Sequence, residues 1–375
     1  VAETFSFELP SKPVASLFRG FSAPIILNQD LSTKDRALLL AHDPDPFNRW
    51  EAGHRLGLDA LTAMIVDDAK PDPIYLDALA NLAADTRIDP AFKAMALGIP
   101  SEDELALKIH SGGGVPDPDR IYAERETLYK AIAERLGDDV ARLYSENEVS
   151  GAYSPDAESA GKRALRNRAL SLMSAVDSTA AAAQSHFENA DNMTDSLSAL
   201  GLLVSAGKAD GALADFHERW KGNANVLDKW FSIQVSRAAP ETAHETALTL
   251  TEHPDFKWKT PNRFRSLFGG YVFANPAGFH RKDGKGYAFA ADWLLKLDPL
   301  NPQTTARMTT AFESWTHFDE TRQGLMKAQL ERIASTETLS KDAREMVAFG
   351  HSRHAGRQLG DILQALFGNR RWAVR

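Results

Sequence analysis

Three arginines and a glutamine in the stretch His253–Met308 offer the clearest recognition chemistry in this sequence. Two helix starts are written into that stretch, Thr260-Pro261 and Asn301-Pro302, each a capping residue followed by proline. The cap side chain accepts a backbone N–H, and proline at the first helical position gives up no donor that the helix needs. The spacing therefore puts Arg263 and Arg265 near the start of one helix, and Arg307 within two turns of the start of another. The helix macrodipole disfavours cations at that end. Such arginines are either incidental, their long side chains reaching solvent, or placed for a ligand. Gln303 lies four residues before Arg307 and shares its helix face.

Histidine offers less. A zinc site on one helix requires two histidines at i and i+4 with a glutamate beside the first. His244-Glu245-Thr246-Ala247-Leu248 lacks the second histidine, and His351-Ser352-Arg353-His354 has the wrong spacing and no carboxylate. These, with His253, His280 and His317, are expected to be surface or capping residues, and no metal ligand is assigned. Cysteine is absent, which removes thiolate zinc sites and disulfides. No GxSxG elbow occurs, and Gly112-Gly113-Gly114 is not followed by the Lys-Ser/Thr of a phosphate loop. No catalytic residue and no cofactor are expected in this chain.

The elements that position these residues are mostly helices. Residues 1–29 read as β: Val1–Leu9 alternates as a strand already in progress, and Ser22–Leu27 reads as another. Two or three such strands cannot bury a core alone, so they are expected to be the edge of a β-sandwich whose remainder is missing, or to lie against the helices. From Ser32 the period becomes 3.6, opening with a capping-box pattern, Ser32-Thr33-Lys34-Asp35. Helices are predicted over Phe47–Val66, Pro73–Asp85, Pro116–Leu136, Pro155–Ala175, Asn225–Ser236, Pro261–Phe268, Tyr287–Leu297, Pro302–His317 and Asp319–Thr336, among others. Short connections in a long series predict an irregular α-solenoid or curved helical superhelix over residues 30–375. Asn275-Pro276 and Lys282-Asp283-Gly284-Lys285-Gly286 are turn chemistry. Trp230, Phe231, Phe264, Phe268, Tyr271, Phe273, Phe279, Tyr287, Phe289 and Trp293 crowd the same region and are expected to pack as core.

A net charge of −8 argues against a general partner of nucleic acid or of anionic membranes. No run of eighteen apolar residues is present, the length that a membrane-spanning helix requires. A reducing, cytoplasmic setting is expected.

Several segments resemble the C-terminal part of bacterial aminopeptidase N, a zinc metalloaminopeptidase family. They are LFRGFSAP (Leu17–Pro24), AHDPDPFNRWEAGHRL (Ala41–Leu56), ADNMTDSLSAL (Ala190–Leu200), LDKWFSIQ (Leu227–Gln234) and the stretch His253–Met308. The resemblance implies that residues 1–29 end a small β-sandwich and that residues 30–375 form a helical domain. It also implies that zinc and the catalytic residues belong to a catalytic domain elsewhere in a longer parent. This chain would then cap the active site and shape the access of peptide substrates. Through the motifs PNRFR and NPQTTAR, it implies that Arg265 and Arg307 are cavity arginines and that Gln303 lies near the first side-chain pocket. Arg263 is left at the surface. The segment after Ala348 departs from the family pattern. The rival reading is a stand-alone helical-repeat scaffold that binds peptides or a protein partner.

Overall fold

The computed structural model describes residue 6, residues 8–22, residue 27 and residues 29–352. The chain divides into two compact units, Val1–Lys108 with Arg120–Lys208, and Ile109–Asp119 with Ala209–Arg375. Among the described residues there are helices and turns and no strand. The strands expected over residues 1–29 fall largely outside the described residues, as does the chain after residue 352.

In the first unit lie α1 (Thr33–His42), α2 (Pro46–Asp67), α3 (Pro73–Ala84) and α4 (Pro90–Ala96). After α5 (Glu102–Ser111) and α6 (Pro118–Leu136), which straddle the unit boundaries, come α7 (Asp138–Glu146), α8 (Ala157–Val176), α9 (Ala181–Asn189) and α10 (Met193–Ser205). The second unit continues with α11 (Asp210–Trp220), α12 (Ala224–Arg237), α13 (Ala243–Thr251), α14 (Pro261–Val272) and α15 (Pro276–Phe279). It closes with α16 (Lys285–Leu297), α17 (Pro302–Met308), α18 (Glu320–Ala334) and α19 (Lys341–Ser352).

Aspartate and proline set three helix starts in the first unit. Asp45, Asp72 and Asp89 each cap a helix whose first residue is proline. Ser32 and Asp35 form the expected reciprocal capping box. The ADNMTD motif is also structural. Asn192 caps α10 and bonds the Asp195 carboxylate, which accepts at 2.7 Å from Asn167 on α8. Two helices were missed by sequence reasoning, α7 and the four-residue α15, where only a turn was expected. Gly137, at φ 54°, breaks the chain after α6, and α7 then buries Val140 and Leu143.

The second unit is built on an aromatic core shared by α12, α14 and α16. Phe231, Phe264, Phe268, Tyr271, Phe279, Tyr287 and Phe289 are buried as expected, whereas Phe273 is 37% exposed. Close backbone approach makes this packing possible. A Cβ on Gly286 would lie 2.3 Å from the Phe279 carbonyl oxygen, and one on Gly270 would lie 2.8 Å from Val235 of α12. Asn275 ties the elements together. Its Nδ2 donates to the Val235 and Ala238 carbonyls at 2.8 and 2.9 Å, and its Oδ1 accepts the Gly278 N–H at 3.0 Å. One side chain thus closes the end of α12 and opens α15.

The helix predicted over Pro302–His317 stops at Met308, and 3-10 turns follow at Thr309–Phe312 and Trp315–His317. The Thr309 and Thr310 hydroxyls donate back to the Ala306 and Arg307 carbonyls at 2.6 and 2.8 Å. Such local bonds compete with the helical ladder.

Arg322 on α18 is fully buried and serves four acceptors. Nε donates to the His280 carbonyl at 2.6 Å, Nη1 to Asp319 at 2.6 Å, and Nη2 to Asp119 and Asp117 at 2.8 and 3.3 Å. His280, packed on Phe318 and bonded to the Tyr287 hydroxyl at 3.1 Å, is held neutral. Burial, helped by the Arg322 charge, pushes its pKa down to about 3.

Two outcomes follow. Arg322→Ala strips the donor from a buried carbonyl and leaves three carboxylates facing one another, so urea unfolding should show a loss of about 3 kcal/mol or more. In the unfolded chain His280 takes a proton near 6.5 that the native state refuses. Stability should therefore fall as pH drops from that value towards about 3, and His280→Gln should flatten this part of a stability–pH profile.

Candidate functional site

Arg265 lies in the second turn of α14, half-buried, with Nη2 donating to Asn262 Oδ1 at 2.5 Å. Gln303 and Arg307 are exposed on one face of α17. Because α17 ends at Met308, Arg307 stands in its last turn, where the macrodipole favours a cation. This reverses the expectation that Arg307 sits at an unfavourable helix end. α16 packs against both α14 and α17. Among the described residues no hydrogen bond or ion pair joins Arg265 to Gln303 or Arg307, and neither arginine is in an ion pair. Both guanidinium groups retain donors for a carboxylate or carbonyl of a ligand.

Arg263 is a different case, and the expectation that it lies at the surface is wrong. It is 6% exposed. Its Nε donates to Asp228 on α12 at 2.5 Å, its Nη1 donates to the Asp255 carbonyl, and its guanidinium lies over the Phe231 ring at 4.9 Å. The Asp228 carboxylate offsets the unfavourable placement at the α14 N-terminus. No local spacing signals this pair, whose members are 35 residues apart in sequence.

The histidines singled out in the sequence are placed as follows. His244 packs on Tyr271 and Phe289, and Glu245 beside it meets Lys285 at 3.4 Å. His317 stacks on His110, with ring centroids 3.8 Å apart. His351 and His354 fall outside the described side chains. Among the described residues, His217, His253 and Asp255 form one group whose ligand atoms lie within 4.8 Å of one another. A hollow in the first unit is lined by Leu17, Gln29, Arg36, Asn48, Glu51 and Arg55. Its charges are already satisfied, Arg55 by Glu51 at 2.6 Å and Arg36 by Asp59.

Comparison with known proteins gives these features a context. A family model described as a domain of unknown function (DUF3458_C) with ARM repeats matches residues 33–349. The chain belongs to that family. It is 40% identical over 348 residues to the aminopeptidase N of Caulobacter vibrioides, covering 91% of this chain and 40% of the relative. It is 33% identical to the aminopeptidase N of Escherichia coli, covering 92% of this chain and 40% of that relative. Its fold superposes on aminopeptidase A of Legionella pneumophila, crystallised in complex with aspartic acid, with a TM-score of 0.83 and 31% identity. That superposition covers 93% of this chain and 42% of the Legionella chain. The chain thus spans about two fifths of the length of the relatives it matches. The ARM-repeat match agrees with the helical-repeat expectation, and the motifs from AHDPDPF to NPQTTAR lie within it. No helix among the described residues is long and apolar enough to cross a membrane.

The three arginines of this region should separate in a stability assay. Arg263→Ala leaves Asp228 and the Asp255 carbonyl without their donor and should lower the urea-unfolding free energy by about 3 kcal/mol. Arg265→Ala and Arg307→Ala should each change it by less than about 0.5 kcal/mol.

Proposed function

We propose that this chain is the C-terminal helical portion of a zinc-dependent aminopeptidase N that removes N-terminal residues from peptides in the cytoplasm. In this reading the chain caps the active site and shapes substrate access, while a catalytic domain of the same parent performs the hydrolysis. The observation that carries the proposal is the match of nine tenths of this chain to aminopeptidases N, of which it spans two fifths. The zinc of the parent has no HExxH to bind in this sequence, so no step of the reaction is assigned to these residues. The DUF3458_C domain would supply recognition instead. Residues 1–29 would complete a β-sandwich of the parent, and residues 30–375 would form its helical domain.

Arg265 and Arg307 are the residues proposed to reach bound peptide, with Gln303 near the first side-chain pocket. A guanidinium stays charged when partly desolvated and can hold a carboxylate or carbonyl with two parallel bonds. Unlike Arg263, these two have no carboxylate among the described residues that consumes that capacity.

The test is kinetic and uses the complete enzyme. Arg265→Ala or Arg307→Ala should lower kcat/KM for peptides of four or more residues by about tenfold or more, the scale of a charged hydrogen bond. Turnover of a single-residue chromogenic amide should change much less. Equal losses on both substrates would remove the peptide-binding role. The 375-residue chain alone should show no peptidase activity with or without added zinc; metal-dependent turnover by it would overturn the division of labour.

A further inference from the structure

We infer that His217, His253 and Asp255 form a binding site for a divalent transition metal of the zinc class. The three residues come from two places in the chain, His217 from the last turn of α11 and the other two from the loop after α13. His217 Nε2 lies 2.9 Å from Asp255 Oδ2, and His253 Nδ1 lies 3.9 Å from the same oxygen. Two ligands bonded to zinc at about 2.1 Å and at a tetrahedral angle are about 3.4 Å apart; the two separations to Asp255 fall on either side of that value, and all three ligand atoms lie within 4.8 Å of one another. Two imidazole nitrogens and one carboxylate oxygen suit zinc, cobalt, nickel or copper, and do not suit the all-oxygen preference of calcium or magnesium. Three protein ligands leave at least one position for water or a further ligand.

The surroundings hold the three groups in place. The Trp230 ring lies 4.9 Å from His217 and 5.2 Å from His253, and its Nε1 is fixed by donating to the Leu213 carbonyl at 2.9 Å. Phe231 meets His253 edge-on at 5.6 Å. Arg263, buried against Asp228, holds the Asp255 main-chain carbonyl. All three ligand residues remain partly accessible, so an ion can enter from solvent.

Binding needs two local exchanges. The ion takes the place of the hydrogen between His217 Nε2 and Asp255 Oδ2, and the neutral imidazole then carries its one proton on Nδ1. His253 Nδ1 now accepts the Asp255 N–H at 3.1 Å, and its lone pair turns from that donor to the metal. The ion would then join α11 to a loop 38 residues further along the chain and stabilise the fold as a cross-link does.

The test is a metal titration of the 375-residue chain, stripped with a chelator and dialysed. Cobalt should bind at one equivalent with visible d–d bands of a four- or five-coordinate site, and zinc should displace it. Zinc should also raise Tm. His217→Gln and Asp255→Asn should each weaken binding by at least about tenfold, the lower bound for loss of even an outer-shell partner. His54→Gln, in the first unit, should leave binding unchanged. Circular dichroism confirms folding of each variant, and His253→Gln replaces any that fails. The proposal is overturned if the unaltered chain takes up no stoichiometric cobalt or zinc. It is also overturned if the folded His217 and Asp255 variants bind as tightly as the unaltered chain.

Discussion

A guanidinium taken wholly out of water is tolerable only if its nitrogens find acceptors, and each nitrogen of Arg322 does so, among a carbonyl and three carboxylates. The consequence is topological. The segment 109–119, the loop around His280 and the start of α18 are far apart in sequence and meet at one side chain. Asp319, which also caps α18, takes part in the same cluster. Partial burial works against its carboxylate, but the Arg322 bonds outweigh it and hold its pKa below the usual range. Because Asp117 and Asp119 remain about half exposed, the cluster keeps its excess negative charge in contact with solvent. That arrangement lets one buried cation organise three anions without desolvating all of them.

The same economy separates two kinds of arginine in the second unit. Arg263 and Arg322 are buried, and each faces a carboxylate with which it makes a hydrogen bond. Arg265 and Arg307 stand on helices attached to the same core and are left without an ion pair among the described residues. A rigid aromatic core with glycine-close helices gives such side chains a fixed base, which positional recognition of a peptide demands.

The His217–His253–Asp255 group lies next to Arg263, so the structural arginine also sets the geometry of the loop that carries two of the three ligands. Trp230, in the LDKWF motif, lies against both imidazoles and bonds α11 through Leu213. Core packing and ligand placement are therefore one problem in this region.

The sequence by itself determined the class of fold and most helix limits, because caps, prolines and the 3.6-residue period are local signals. Thr260-Pro261 starts a helix as expected, though the Thr260 side chain makes no cap bond, Asn275-Pro276 starts the short α15 where a turn was expected, and Gly284 takes a φ of 69° at the start of α16. Helix position flagged Arg263, Arg265 and Arg307 alike, and it misplaced Arg307, which stands in the last turn of α17. Only the tertiary structure decided which of them were consumed. Arg263 finds Asp228 and Arg322 finds Asp119 across long sequence separations, and the hydroxyls of Thr309 and Thr310 end a helix that periodicity would continue. The trio of metal-class ligands was invisible for the same reason: His217 and Asp255 have no spacing relation until α11 and the loop after α13 are packed side by side. Local order is encoded by neighbours in sequence, but charge pairing and ligand geometry are set by neighbours in space.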